Sequence, residues 1–201
     1  MNQRPENITP DFAQQLLLEG NGRFVAGNLV PRTDLEARRK DLFAKGQKPF
    51  AVILTCSDSR VPPEILFDQG LGDIFVIRVA GNVVDSLAMG SLEYGAEHLQ
   101  APLLVVLGHS RCGAVKASVD GGEAPGSIGT IVDKLKPLVD SLKADGLSGD
   151  ELCQKVEDEN ISATIREIEK SPVIHHLVDQ GKLKVIGAKY CLDSGKVSFF
   201  P

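Results

Sequence analysis

Residues 50–60 read FAVILTCSDSR, a stretch that joins an apolar run directly to a cluster of reactive side chains. The run at 50–54 is short and aliphatic, which is typical of a β-strand that is buried on both faces. Similar runs occur at residues 74–79, 103–107 and 184–187, and a last strand is predicted at 196–200. The sequence therefore predicts a sheet that other elements cover on both sides.

Helical stretches separate these strands along the chain. They are predicted at residues 86–99, 112–118, 128–142 and 148–177. Pro172 is expected to break the last of them. Strands that alternate with helices indicate an α/β fold with a mostly parallel central sheet flanked by helices. We expect the strand order 2-1-3-4-5, which makes the first and third strands neighbours.

Two further helices are predicted before the first strand. Thr9 is a suitable N-cap, Pro10 suits the first helical position, and Gly20 is expected to end this helix. A second helix is predicted at 34–45 and is closed by Gly46. These helices form a predicted N-terminal arm.

Length and charge narrow the possible functions. A chain of 201 residues and 21.6 kDa fits one domain, which we divide into a helical arm at 1–46 and an α/β core at 47–201. The net charge of −5 argues against a nucleic-acid partner, since phosphate binding requires a basic surface. The sequence contains neither a secretory signal nor an apolar run of membrane-spanning length. We therefore expect a cytoplasmic protein with no membrane partner and a small-molecule substrate.

A second strand also ends in reactive side chains. Residues 103–113 read LLVVLGHSRCG, which places His109 and Cys112 three positions apart after an apolar run. In extended backbone, Cys56 and Asp58 point to the same side. Because ligands in open α/β sheets bind beyond the carboxyl ends of the strands, we expect both segments to meet there. Two thiols, an imidazole and a carboxylate suit Zn²⁺ and disfavour magnesium or calcium.

Each of these residues also has an ordinary structural interpretation. A single cysteine at a strand end is commonly a small buried hydrophobe, and His109 alone could be a core histidine. Asp58 and Arg60 could form only a surface ion pair. The occurrence of both segments together is what favours a metal site. Cys153 and Cys191 lie outside the two segments, and we interpret both as structural.

The two segments resemble the paired zinc motifs C-x-D-x-R and H-x-x-C of β-class carbonic anhydrases. The matching residues are CSDSR at 56–60 and GHSRCG at 108–113. Further similarity to that family extends over most of the chain: LLLEGNGRFVAG at 16–27, GDIFVIRVAGN at 72–82, SLEYGAEHL at 91–99 and GKLKVIGAKYCLDSGKV at 181–197. Two motifs in this order and spacing are highly specific. The resemblance implies zinc-dependent, reversible hydration of carbon dioxide to bicarbonate and a proton.

The resemblance also implies roles for the motif residues. Cys56, His109 and Cys112 correspond to permanent zinc ligands, and Asp58 to a residue that either takes the fourth position or pairs with Arg60. Pairing leaves the fourth position to water, which is the catalytic arrangement. The catalytic residues are therefore expected to be Asp58, which would orient or accept a proton from water, and Arg60, which would hold Asp58 off the metal.

Regulation and assembly are further implications of the resemblance. Arg78 and Tyr94 match residues of an anion-binding site in some family members, but Ile53 replaces the tryptophan of that site, and the chain contains no tryptophan at all. The family resemblance further implies a homodimer or a homotetramer whose N-terminal helices contact the neighbouring subunit. The amphipathic first helix is compatible with that role, and it is equally compatible with packing on its own domain.

Three other functions remain compatible with the motifs. A zinc enzyme could instead hydrolyse carbon disulfide or carbonyl sulfide at the same site. A non-catalytic zinc protein would have Asp58 permanently on the metal, although Arg60 argues against that. A redox protein that uses Cys56 and Cys112 is less consistent with the sequence, which contains no Cys-x-x-Cys motif.

Overall fold

The computed structural model describes residues 8–200, and its centre is a five-stranded sheet of order β2-β1-β3-β4-β5. The strands are β1 (Ala51–Thr55), β2 (Ile74–Arg78), β3 (Leu103–His109), β4 (Lys184–Tyr190) and β5 (Val197–Phe200). The first four strands are parallel to one another, and β5 runs antiparallel to β4. The predicted fold class and strand order are confirmed.

The aliphatic composition of the central strands follows from their position. Every residue of β1 and of β3 is buried, because helices cover both faces of the sheet. Ile53 and Val105 face one side, where they belong to the same cluster as Ala13 and Leu17 of the first helix. The residues on either side of them in the two strands, such as Val52 and Leu104, face the other side of the sheet. There they cluster with apolar residues of three helices that follow later in the chain, at 86–93, 149–168 and 172–179.

Eight α-helices surround the sheet in the described residues. They are α1 (Pro10–Val25), α2 (Leu35–Lys45), α3 (Pro63–Leu66), α4 (Ser86–Glu93), α5 (Gly113–Asp120), α6 (Ile128–Ala144), α7 (Gly149–Ile168) and α8 (Pro172–Asp179). The predicted break at Pro172 is confirmed, because Ser171 caps α8 there and accepts a hydrogen bond from the Ile174 amide. Among residues 8–200, no helix is both long enough and apolar enough to cross a membrane.

The predicted end of the first helix at Gly20 is wrong, since α1 continues to Val25. Gly20 is buried inside the helix, where a Cβ atom would lie only 1.8 Å from the carbonyl oxygen of Phe67. The glycine thus permits α1 to pack against the chain that follows α3. Its role is close packing between two segments rather than helix termination.

We therefore expect the substitution Gly20→Ala to lower the free energy of unfolding by about 1–3 kcal/mol, the usual cost of overpacking. Gly22→Ala in the same helix is the matched control, because a Cβ atom there would meet nothing within 4 Å. That control should be neutral or stabilising by up to about 1 kcal/mol, since alanine favours helices over glycine. Chemical denaturation measures both, and equal effects of the two substitutions would contradict the packing role.

The predicted helix at 86–99 is correct only in its first half. After α4 the chain forms a wider π-helical turn over Tyr94–His98, in which the Leu99 amide donates to the Tyr94 carbonyl oxygen at 3.0 Å. Gly95 lies in this turn, and a Cβ atom there would lie 2.6 Å from Val52 of β1. The turn therefore brings the backbone against the sheet, a contact that helical periodicity does not reveal.

Candidate metal centre

The candidate site lies where β1 and β3 end side by side. Thr55 of β1 is paired with Leu107 of β3, and its hydroxyl donates to the Leu107 carbonyl oxygen at 2.8 Å. Cys56 follows β1 immediately, and His109 is the last residue of β3. Cys112 is the N-cap of α5, one turn of chain later. The parallel pairing of the two strands thus brings together segments that are distant in sequence.

Three ligand atoms converge at this point. The sulfur atoms of Cys56 and Cys112 and a ring nitrogen of His109 all lie within 4.8 Å of one another, and all three residues are buried. His109 Nδ1 donates to the Ser110 carbonyl oxygen at 2.9 Å, whereas its buried Nε2 has no hydrogen-bond partner. A buried imidazole nitrogen without a partner is costly unless it binds something. Two sulfurs and one nitrogen are the donor set that zinc prefers.

The two thiols titrate as a pair. The hydrogen bond from Cys112 lowers the pKa of Cys56 to about 4, against the opposing effect of burial. The same hydrogen bond raises the pKa of Cys112, as does its burial. Burial lowers the pKa of His109, but the negative charge of Cys56 and the hydrogen bond to the Ser110 carbonyl oxygen act in the opposite direction, and the net shift is upward. One thiolate is therefore favoured in this cluster even without a metal, and a thiolate is the form that binds one.

The Cys56 sulfur also accepts a backbone hydrogen bond. The Gly81 amide donates to it at 3.2 Å from a 3₁₀ turn at Ala80–Asn82, which follows β2. Gly81 has φ of 73°, a left-handed conformation that glycine adopts without a steric cost. This contact was not predicted from the sequence, although AGN after a buried strand is a signal for a tight turn.

Asp58 lies at the border of the cluster and is paired with Arg60. Arg60 Nε and Nη2 donate to the two carboxylate oxygens at 2.9 and 2.7 Å, and the Arg60 amide donates at 2.9 Å. These bonds to Arg60 lower the pKa of Asp58 to about 2. The Asp58 Oδ2 atom lies 4.0 Å from His109 Nε2. Of the two predicted arrangements, the structure thus contains the pairing with Arg60.

The two predicted anion-binding residues have different partners. Arg78 donates to the carbonyl oxygens of Cys56 and Asp58 at 3.1 and 2.5 Å, so it holds the loop that carries the first motif. Tyr94 is half-exposed and stacks on His98, with ring centroids 4.7 Å apart. The two residues thus contact different parts of the structure. An anion-binding site formed by both of them stays a prediction.

The remaining cysteines lie outside the cluster. Cys153 and Cys191 are partly exposed, and all four cysteines of the described residues are free thiols. Sequence analysis missed two buried polar residues of α7 that contact the site, Glu157 and Asn160. The sequence signal was that these two polar residues, three positions apart, lie on the same face of the helix as the buried apolar residues Val156 and Ile161.

Comparison with known proteins points to a single family. Residues 51–197 match the family model described as carbonic anhydrase. The chain is 43% identical over 195 residues to carbonic anhydrase 2 of Mycobacterium tuberculosis, a match that covers 94% of this chain and 92% of that protein.

Solved structures agree with the sequence matches. A Coccomyxa β-carbonic anhydrase in complex with acetazolamide superposes with a TM-score of 0.74 at 30% identity, over 92% of this chain and 84% of that one. A β-carbonic anhydrase of the ascomycete Sordaria macrospora, described as tetrameric, gives a TM-score of 0.74 at 26% identity, over 82% and 89% of the two chains.

Proposed function

The chain belongs to the β-class carbonic anhydrases and is a carbonate dehydratase, and we propose that its reaction takes place at a zinc ion held by Cys56, His109 and Cys112. The observation that carries this proposal is the convergence of the three ligand atoms, with His109 Nε2 buried and without a partner. A zinc ion held by these three residues would lower the pKa of a bound water molecule and supply a nucleophile near neutral pH.

The protein's own residues prepare this chemistry. The hydrogen bond from His109 Nδ1 to the Ser110 carbonyl oxygen fixes the ring and leaves Nε2 as the ligand atom. The Gly81 amide stabilises negative charge on the Cys56 sulfur. Both features support a site that is formed before the metal binds. Little reorganisation is then needed on binding.

Asp58 and Arg60 are proposed to act on the water molecule that reacts with carbon dioxide. Two hydrogen bonds from the Arg60 guanidinium group hold the Asp58 carboxylate in place. Its Oδ2 atom lies 4.0 Å from His109 Nε2, close to the ligand cluster. From there the carboxylate can accept a hydrogen bond from the water and orient it toward the substrate carbon. Because the same two hydrogen bonds restrain Asp58, its carboxylate would leave room for water on a bound metal ion. This arrangement argues against a permanently closed, non-catalytic zinc site.

A direct test is stopped-flow hydration of carbon dioxide on protein whose zinc content has been measured. Activity should vanish when a chelator removes the metal and return in proportion to the zinc added back, because the nucleophile depends on the metal. Restoration with magnesium is the matched control and should fail, because thiolates bind it poorly. Activity that persists in metal-free protein would contradict the proposal.

We also propose that the protein is a cytoplasmic homodimer or homotetramer in which residues 1–46 form an arm and 47–201 the core. The Sordaria relative is described as tetrameric. Within the arm, α1 buries Ala13 and Leu17 against the sheet of its own chain. Phe43 of α2 is 93% exposed and Leu35 is 50% exposed, an apolar surface that supports contact with a second copy. Light scattering of the purified protein measures the assembly, and a monomeric mass would contradict it.

A further inference from the structure

One face of α7 is polar where it meets the protein interior. Glu157, Asn160 and Thr164 are spaced three and four positions apart, so they project from the same side of the helix. They are only 5%, 5% and 3% exposed. Buried polar groups cost free energy unless they are hydrogen-bonded. The hydrogen-bond partners of these three side chains therefore indicate the role of this face of the helix.

Asn160 is connected to the first thiol through one peptide. Its Nδ2 donates to the Gly81 carbonyl oxygen at 2.8 Å, and the Gly81 amide donates to the Cys56 sulfur at 3.2 Å. Gly81 lies in a left-handed turn, so its orientation relative to β2 is not enforced by the strand. The hydrogen bond from the Asn160 side chain to the Gly81 carbonyl oxygen restrains this turn. The position of the amide on the Cys56 sulfur thus depends on α7.

Glu157 is connected to the second thiol. Its Oε1 accepts a hydrogen bond from the Cys112 amide at 3.1 Å. Cys112 is the N-cap of α5, and its own side chain makes no capping hydrogen bond. The Glu157 carboxylate therefore lies at the positive end of that helix. Lys189 Nζ lies 3.0 Å from Glu157 Oε2 and forms an ion pair with it, although the geometry is not that of a hydrogen bond. The same Nζ atom lies 2.7 Å from Asp158 Oδ1. This pairing holds the buried carboxylate in place.

The same face of α7 also lies close to the strand that carries His109. Ile161 packs into the space left by Gly108 and Gly187, where Cβ atoms would come within 2.7 and 2.8 Å of its side chain. The helix is therefore seated on β3 next to the third ligand. Contacts from one face of α7 reach the backbone beside all three ligands of the proposed metal site.

We propose that Glu157 and Asn160 are positioning residues, which hold the backbone around Cys112 and Cys56 so that both sulfur atoms point at one metal ion. The inference rests on the proposed zinc site and adds to it the part of the protein that sets its geometry. Loss of such outer contacts commonly costs about 10–100-fold in metal affinity. Thr164 reaches only the Asn82 carbonyl oxygen, at 3.4 Å, and its bond leads to neither sulfur.

The experiment compares metal binding by Asn160→Ala, Glu157→Ala and the control Thr164→Val. Zinc affinity is measured by competition with a chromophoric chelator, and the cobalt-substituted proteins are compared by their thiolate-to-metal absorption. We expect the first two variants to lose about 10–100-fold in zinc affinity and to change the cobalt spectrum. Thr164→Val should keep affinity and spectrum, although removing a buried hydroxyl lowers its unfolding temperature.

Unchanged affinity and spectrum in the first two variants would overturn the inference, as would an equal loss in Thr164→Val. If an alanine variant does not fold, the milder changes Asn160→Ser and Glu157→Gln are judged by the same criteria. Wild-type protein is measured alongside. A wild type that does not bind zinc would refute the proposed metal site itself, whereas normal wild-type binding with unchanged variants would refute only the role of α7.

Discussion

The substitution Cys56→Ser is expected to abolish both zinc retention and carbon dioxide hydration. Cys56 supplies one of three converging ligand atoms, and the hydrogen bond from Cys112 lowers the pKa of its thiol, which favours the thiolate form that binds metal. A serine hydroxyl is nearly isosteric but does not ionise near neutral pH and is a poor ligand for zinc. We therefore expect the loss of nearly all of the rate acceleration, which for enzymes is about 10⁶-fold or more.

The matched controls are the same substitution at the two cysteines outside the cluster. Cys153→Ser and Cys191→Ser should retain zinc and activity, because both side chains are partly exposed and lie outside the ligand cluster. Zinc analysis together with stopped-flow assays measures all three variants. A Cys56→Ser protein that keeps its zinc and its activity would refute the assigned ligand set.

The substitution Arg60→Gln is expected to lower activity about 100-fold near neutral pH while zinc stays bound. Without the guanidinium group, the Asp58 carboxylate loses two side-chain hydrogen bonds. Because Asp58 Oδ2 lies only 4.0 Å from His109 Nε2, the carboxylate is then free to move onto the metal. A fourth protein ligand converts an open catalytic site into a closed structural one. Arginine is required here because lysine lacks the bidentate geometry.

A second substitution separates this explanation from general damage. Asp58→Ala in the Arg60→Gln background removes the blocking carboxylate, so activity should rise above that of Arg60→Gln alone but stay below that of the wild type, because the carboxylate that orients the water is also lost. Arg166→Gln, an exposed arginine on α7, is the control and should have no effect. Full activity in Arg60→Gln, or loss of its zinc, would contradict the role assigned to Arg60.

Much of the architecture was predictable because it depends on local pattern. The aliphatic runs of β1 and β3 are a direct consequence of burial on both faces, and the parallel order follows from alternation with helices. The position of Cys56, His109 and Cys112 at strand ends followed from the same pattern. Their convergence matches the expectation for a metal site, while metal binding by these residues stays a prediction.

The parts that were missed depend on contacts between segments far apart in the chain. Gly20 looked like a helix terminator, but it is required because Phe67 approaches the helix there. The π turn after α4 brings Gly95 against Val52, and helical periodicity does not reveal such a contact. The role of the buried polar face of α7 likewise could not be predicted, because it depends on hydrogen bonds to Cys112 and Gly81, which are distant in sequence.

X-ray absorption at the zinc edge tests the central claim most directly, because it identifies the atoms that surround the metal in the active protein. We predict two sulfur neighbours at about 2.3 Å, one imidazole nitrogen at about 2.0–2.1 Å and one further light atom. Because Cys112 supplies one of the same three ligand atoms, Cys112→Ser should lose its zinc and with it this signal. A shell with fewer than two sulfur atoms in the wild type would contradict a site built from Cys56, His109 and Cys112.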